Sequence, residues 1–175
     1  PSRLVRSRPQ RSPASRLAYR AEPARDWEPR LDELWRRVRA QHPAAAVRDA
    51  GHALARHAGH PHRRRHRFLV LPRFGRRPLA FVVFERAGEE CRWVDLLWDR
   101  RHPGALALLA HLSGRLAPQL GAARESLLLG GDAEGLRRLE ALGFTAEAVE
   151  LRPQLTVLAR ASGLAVDALG TRLLL

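Results

Sequence analysis

The chain has 175 residues, 45% of them hydrophobic, which is enough for one domain with a packed core and an additional segment. No apolar run approaches the roughly 20 residues that a membrane-spanning helix needs, so the composition predicts a soluble protein. The formal net charge is +13, and all 31 basic residues are arginine, which favours an anionic partner but does not say which anion.

The positive charge is concentrated in two segments. Residues 1–21 contain six arginines and no acid, and residues 48–84 contain nine arginines and one aspartate. Nucleic acid, an acidic membrane surface and the phosphates of coenzyme A would all complement such segments. The chain has no Lys, Asn, Ile or Met. Their codons are rich in A and T, so their absence indicates a high-GC, bacterial genome.

Residues 1–22 are rich in Arg, Ser and Pro and are interpreted as a linker or N-terminal extension, with residues 23–175 as the domain. An organellar presequence is the alternative, but the internal prolines Pro9 and Pro13 and weak helical periodicity count against it. The single cysteine, Cys91, cannot form an internal disulfide. It fits a reducing compartment, and we expect a cytoplasmic protein.

Two helices are predicted before the first core strand. Asp26 can cap a helix that runs to about Gln41. Its apolar face recurs at helical spacing and comprises Trp27, Leu31, Leu34, Trp35 and Val38. After His42-Pro43, residues 44–58 can form a second helix that stops at Gly59, and residues 60–66 form a polar connection.

Three β-rich runs follow, separated by short turns with glycine: residues 67–74, 78–86 and 91–99. This spacing predicts antiparallel hairpins. A helix from Pro103 to Leu116, ended by Pro118, and a short apolar strand at 126–129 imply a crossover. The sheet should therefore be mixed.

The last part of the chain continues the alternation. Asp132 is a suitable N-cap for a helix over residues 133–142, with Gly143 in the C′ position. Residues 146–151 and 154–159 predict two further strands, and Ser162 can cap a final short helix. The apolar end, residues 172–175, suggests a partner, either a second domain or another copy of the chain.

The order strand, strand, strand, helix, strand, helix, ending in Leu142-Gly143-Phe144, resembles the core of the GNAT N-acetyltransferases. A second resemblance lies in residues 48–57 and His60-Pro61, which are similar to a pattern in the C-terminal module of longer bacterial GNAT proteins. Histidines stand where that pattern has tyrosines, at His52, His57 and His66, and Ala55 stands where it has tryptophan. The resemblance implies an α/β fold with a mixed, mostly antiparallel central sheet flanked by helices. It also implies acetyl-CoA as co-substrate and an amine as acceptor.

The resemblance also implies where the cofactor binds. The strand at residues 92–98 would separate from its neighbour, so that the backbone of Leu96, Leu97 and Trp98 could pair with the pantetheine arm. The loop that follows meets a helix N-terminus, which favours a pyrophosphate. Its implied contact residues are Arg100, Arg101, His102, Gly104 and Ala105. Either Leu106 or Pro103 departs from the family's loop, depending on the frame, and an ordinary helix entry with two surface arginines is the alternative.

Catalysis of amide formation needs an amine made neutral and a thiolate that can leave. Asp95 lies in the middle of its predicted strand, on one face with Trp93 and Leu97, and is the candidate base. A hydrogen-bonded structural carboxylate is the alternative. Leu139 occupies the position of the family's tyrosine acid, and Tyr19, the only tyrosine, falls in the predicted linker.

Three further interpretations compete with the enzyme. The histidines between residues 52 and 66 could bind zinc, but arginines lie close by and no cysteine does, so we predict no metal site. The arginine-rich segments could bind nucleic acid, although no known motif accompanies them. A non-catalytic GNAT module that pairs with a second domain or copy is the third. If the chain is an enzyme, residues 48–77 favour an anionic acceptor.

Overall fold

The computed structural model describes residues 2–7, 17–42, 47–58, 65–130 and 132–148. The described strands form one sheet and are β1 (Ser2–Arg6), β2 (Tyr19–Pro23), β3 (Arg65–Pro72), β4 (Ala80–Ala87), β5 (Glu90–Trp98), β6 (Arg124–Leu129) and β7 (Thr145–Ala148). The described helices are α1 (Arg30–Val38), α2 (Ala50–Ala53), α3 (Pro103–Gln119) and α4 (Ala133–Glu140). A 3₁₀ turn, Arg39–Gln41, extends α1, and a π-helical turn, Leu54–Ala58, extends α2.

The strand order across the sheet is β2-β3-β4-β5-β6-β1-β7. Among the described pairs only β5 and β6 are parallel, because α3 carries the chain from one to the other as a crossover. The remaining described pairs are antiparallel. The prediction of a mixed, mostly antiparallel sheet flanked by helices is therefore confirmed.

Helices cover both faces of the sheet and give the domain two hydrophobic cores. Leu106 and Leu109 of α3 pack on one face with Phe84. Leu31 and Leu34 of α1 pack on the other. Strand β4 is buried on both sides, which explains why its sequence is an almost continuous apolar run and shows no alternation.

The prediction that residues 1–22 form a linker is wrong for the residues of that segment that the structure describes. Strand β1 lies between β6 and β7 and pairs with both, while β2 pairs with β3 at the edge of the sheet. The side chain of Leu4 is fully buried, and Arg6 is buried beside Glu125. A strand that buries an arginine with a distant acid does not show the apolar alternation by which strands are recognised.

The helix boundaries before the core also differ from the prediction. The first helix begins at Arg30, and Asp26 forms an ion pair with Arg67 rather than a cap. Trp27 precedes the helix and is 53% exposed. Residues 43–46 lie outside the described residues, and the second helix begins at Ala50.

The later predictions agree more closely with the structure. Helix α3 continues to Gln119, so Pro118 lies in its last turn. The Asp132 carboxylate accepts a hydrogen bond from the Gly135 amide and caps α4, and Gly143 has φ +88°, as its C′ position requires. The predicted strand at 154–159, the cap at Ser162 and the apolar end lie outside the described residues.

Candidate active site

A β-bulge in β5 places Asp95 on the α2 face of the sheet. Val83 of β4 pairs with Asp95 and the next residue, Phe84, pairs with Trp93, so Val94 is an extra residue in β5. Trp93 consequently packs with the α3 core. Asp95 and Leu97 face α1 and α2. The prediction that Asp95 shares a face with Leu97 is correct, and the prediction that it shares one with Trp93 is wrong.

Strands β5 and β6 separate directly after Trp93. Their described pairing runs from Glu90 to Trp93 on β5, whereas β5 itself continues to Trp98 and β6 to Leu129. The side chains of Leu97 and Trp98 are buried in the two cores, and Leu96 is half-buried. These residues could therefore offer their backbone, rather than their side chains, to a ligand between the strands.

Basic groups surround the carboxylate of Asp95, whose side chain is 3% exposed. Arg48 Nε donates to Oδ1 at 2.7 Å, His57 Nε2 lies 3.0 Å from Oδ2, and His52 Nε2 lies 3.7 Å from Oδ2. Burial raises the pKa of Asp95, but the contacts with His52 and His57 and the charge of Arg48 outweigh that effect. Its pKa therefore lies well below the usual value, and the carboxylate stays ionised.

Arg65 fixes the tautomer of His57. The Arg65 guanidinium Nη1 lies 3.0 Å from His57 Nδ1, and because a guanidinium can only donate, Nδ1 must be the acceptor. The ring proton of neutral His57 is therefore on Nε2 and points to Asp95. Arg65 Nε in turn donates to Glu85 at 3.1 Å. His57 is thus held between Asp95 on one side and the Arg65–Glu85 ion pair on the other.

His52, His57 and Asp95 are also a group of described residues whose ligand atoms lie within 4.8 Å of one another, which is close enough to hold a metal ion. A metal would need the lone pair of His57 Nε2, but the tautomer imposed by Arg65 places a proton there. Arg48, against the same carboxylate, would repel a cation. The donor set does not fit a metal ion. His60 and His62 lie outside the described residues.

The two arginines predicted for the pyrophosphate loop are paired with acids. Arg101 donates to both Asp99 oxygens, from Nε at 3.0 Å and from Nη2 at 2.9 Å. Arg100 Nη2 lies 3.1 Å from an Asp132 oxygen. A guanidinium has five N–H donors, so each arginine keeps donors for a phosphate, but the neighbouring carboxylate offsets part of its positive charge.

The start of α3 offers fewer donors than a glycine-rich loop would. Pro103 is the first helical residue and has no N–H, and the Ala105 amide donates to the His102 carbonyl at 2.9 Å. A Cβ at Gly104 would lie 2.5 Å from the ring of Tyr19, so this glycine is needed for that packing. Leu106 is buried in the core and does not crowd the loop.

Neither a protein-family model nor a curated protein matches the sequence. Solved structures match it at low identity. A conserved protein of unknown function from Enterococcus faecalis has a TM-score of 0.60 at 10% identity. The ribosomal-protein-S18-alanine N-acetyltransferase from Escherichia coli has a TM-score of 0.50 at 16% identity. A GCN5-related N-acetyltransferase from Kribbella flavida has a TM-score of 0.51 at 15% identity. The chain has the GNAT fold.

The share of each GNAT chain that is matched differs widely. The match covers 83% of this chain but 36% of the E. faecalis chain, and 86% of this chain but 34% of the K. flavida chain. It covers 75% of this chain and 79% of the E. coli enzyme. The chain thus spans about a third of two of these proteins and most of the third. No helix among its described residues is long and apolar enough to cross a bilayer.

Within the GNAT fold, the residues around Asp95 are the ones that sequence reasoning missed. Arg48 is 47 positions from Asp95 and His57 is 38, so no spacing in the sequence announces the contacts. The only feature of the sequence that pointed to these contacts was the pattern in residues 48–57, in which His52 and His57 stand in place of tyrosines. Leu139, where the resemblance would place an acid, is fully buried. Tyr19 lies against Gly104 at the start of α3.

Proposed function

We propose that the chain is an acyl-CoA-dependent N-acyltransferase that moves an acetyl group from acetyl-CoA to an amine. The observation that carries this proposal is the separation of β5 from β6 after Trp93, directly beside the charged cluster at Asp95. A pantetheine arm that paired with Leu96–Trp98 would bring its thioester to this point. The buried Cys91 suits a reducing compartment, so we place the reaction in the cytoplasm.

The phosphates of the cofactor would lie at the loop of residues 100–105 and the start of α3. The Gly104 amide, the helix dipole and the two guanidiniums of Arg100 and Arg101 favour a pyrophosphate there. Both arginines are already paired with an acid, Arg101 with Asp99 and Arg100 with Asp132, which offsets part of their charge. We therefore expect weak binding of acetyl-CoA compared with a loop whose donors are free.

A non-catalytic GNAT module is the second candidate. The acid-paired arginines and Pro103 favour it, because they reduce the donors that a pyrophosphate could use. In that case the fold would serve assembly with a second domain or copy. The acceptor of the catalytic alternative is proposed only by class, an anionic amine, from the charge of residues 48–77.

Calorimetric titration with acetyl-CoA separates the two candidates. We expect saturable binding that weakens about tenfold in Arg101→Ala, the loss expected for one hydrogen bond between charged groups. Arg86→Ala, an exposed arginine at the β4–β5 turn, is the matched control and should bind as the wild type does. No binding at millimolar acetyl-CoA would reject the enzyme in favour of the non-catalytic module.

A further inference from the structure

The geometry of Asp95 makes it a poor proton acceptor for an incoming amine. A general base must come within hydrogen-bonding distance of the proton that it removes. Arg48 occupies one oxygen and His57 the other, and the side chain is 3% exposed. An amine could reach this carboxylate only by displacing groups that already satisfy it.

His57 is equally unsuitable. Its side chain is 0% exposed, and both of its nitrogens have partners, Asp95 on Nε2 and Arg65 on Nδ1. It can orient Asp95 but cannot meet a substrate. Its role in the cluster is that of a fixed hydrogen-bond donor.

His52 differs from both neighbours in its exposure. Its backbone amide donates to Asp49 at 2.8 Å, which fixes the first turn of α2. Its Nε2 is buried, has no hydrogen-bond partner among the described residues and faces Asp95 at 3.7 Å. The side chain as a whole is 24% exposed. Because Nε2 is buried against the carboxylate, the exposed part of the side chain lies away from that atom.

We infer that His52 accepts the proton of the attacking amine and that Asp95 is a positioning residue behind it. This inference rests on the proposed function. Asp95 follows the last β5 residue that pairs with β6, so the contact between His52 and Asp95 lies close to the point where the two strands separate. The titratable and charged groups near His52 are Asp49, Asp95 and His57, with Arg48 on Asp95 and Arg65 on His57.

The same imidazole also supplies the proton that the leaving group needs. The amine nitrogen forms a bond to the acetyl carbon and gives one proton to His52. The carbon–sulfur bond then breaks with its electron pair on sulfur, and the imidazolium returns the proton to the thiolate. The products are an amide and coenzyme A, and no second acid is required. A separate tyrosine is then unnecessary where Leu139 stands.

Histidine modification tests the position of His52 without knowledge of the acceptor. Diethyl pyrocarbonate carbethoxylates accessible imidazoles, and peptide mass spectrometry reports each site. We expect His52 to react in the free protein, His57 to remain unmodified, and saturating acetyl-CoA to slow the reaction of His52 several-fold. His66, on β3, is the internal reference and should react equally with and without acetyl-CoA. Unchanged reactivity of His52 with acetyl-CoA bound would overturn the inference and leave the proposed function intact.

Kinetics with small anionic primary amines, aspartate and taurine, test the chemistry. We expect His52→Gln to lower turnover at least 100-fold, while its affinity for acetyl-CoA stays within twofold of the wild-type value. The variant should also lose the fall in kcat/KM at acid pH. His66→Gln should behave as wild type, and adding Asp95→Asn to His52→Gln should cost little more. A His52→Gln enzyme that keeps its rate and the fall in kcat/KM at acid pH would overturn the inference. Failure of the wild-type protein to bind acetyl-CoA would reject the proposed function itself.

Discussion

Glu90 illustrates how single carboxylates are held in this arginine-rich sheet. Its side chain is 5% exposed, forms ion pairs with Arg3, Arg92 and Arg124, and accepts a hydrogen bond from Ser126 at 2.8 Å. Burial raises the pKa of Glu90, but the hydrogen bonds from Ser126, Arg3 and Arg92 outweigh it. They lower the pKa from the ordinary 4.5 to about 2.

The depressed pKa predicts an acid-sensitive contribution to stability. The unfolded chain binds this proton more readily than the folded one, so the stabilisation is complete above pH 4.5 and is lost as the pH falls through about 2. Glu90→Gln should lower the free energy of unfolding at pH 7 by about 1–3 kcal/mol and flatten its pH dependence in this window. Urea unfolding at several pH values measures both, with the exposed Glu140→Gln as control. If the free energy of unfolding changed with pH in the same way for Glu90→Gln and wild type, the lowered pKa of Glu90 would be contradicted.

At the level of elements, a buried ion pair holds β1 in the middle of the sheet. Arg6 donates to Glu125 from Nε at 3.2 Å and from Nη2 at 2.9 Å, and it donates to the Leu142 carbonyl at 3.0 Å. Its guanidinium also lies 4.5 Å from the centre of the Phe144 ring. These contacts join β1 to β6 and to the turn that leads into β7.

Removing one member of this pair should cost more than removing both. Arg6→Met leaves Glu125 buried without its counter-charge and should lower the free energy of unfolding by about 3–5 kcal/mol. The double variant Arg6→Met/Glu125→Leu should regain much of that loss, because no unpaired charge remains. Arg36→Met on the exposed side of α1 is the control in the same urea titrations. A double variant no more stable than Arg6→Met would show that the arginine acts through its packing instead.

For the whole molecule, binding of acetyl-CoA should raise the free energy of unfolding. A ligand that binds only the folded state adds about 2.7 kcal/mol at one hundred times its Kd. For a domain of this size that corresponds to a rise in Tm of roughly 5–10 °C. The rise should shrink as salt increases, because arginine–phosphate contacts are screened. Thermal unfolding at increasing acetyl-CoA concentration measures this rise, with adenosine as the uncharged control. An unchanged Tm would contradict the proposal that the chain binds acetyl-CoA.

The sequence by itself determined the core between residues 67 and 144. Hairpin spacing, the crossover helix, the Asp132 cap and the Gly143 helix stop are local features, and each depends on residues within a few positions of one another. Local periodicity and turn chemistry therefore predicted the mixed sheet, and the order of the elements carried the resemblance to GNAT proteins.

Only the tertiary structure decided which side chains meet. Arg6 and Glu125 are 119 positions apart, and pairing them turns an apparent linker into a strand. The bulge at Val94 sends Asp95 to the face where Arg48, His52 and His57 enclose it, so the predicted base became an ionised, fully engaged carboxylate. Asp99 likewise forms an ion pair with Arg101, which was predicted to bind the pyrophosphate. Contacts between charged residues leave no periodic trace in a sequence, because their partners come from anywhere in the chain, and so the fold could be predicted while the roles within its site could not.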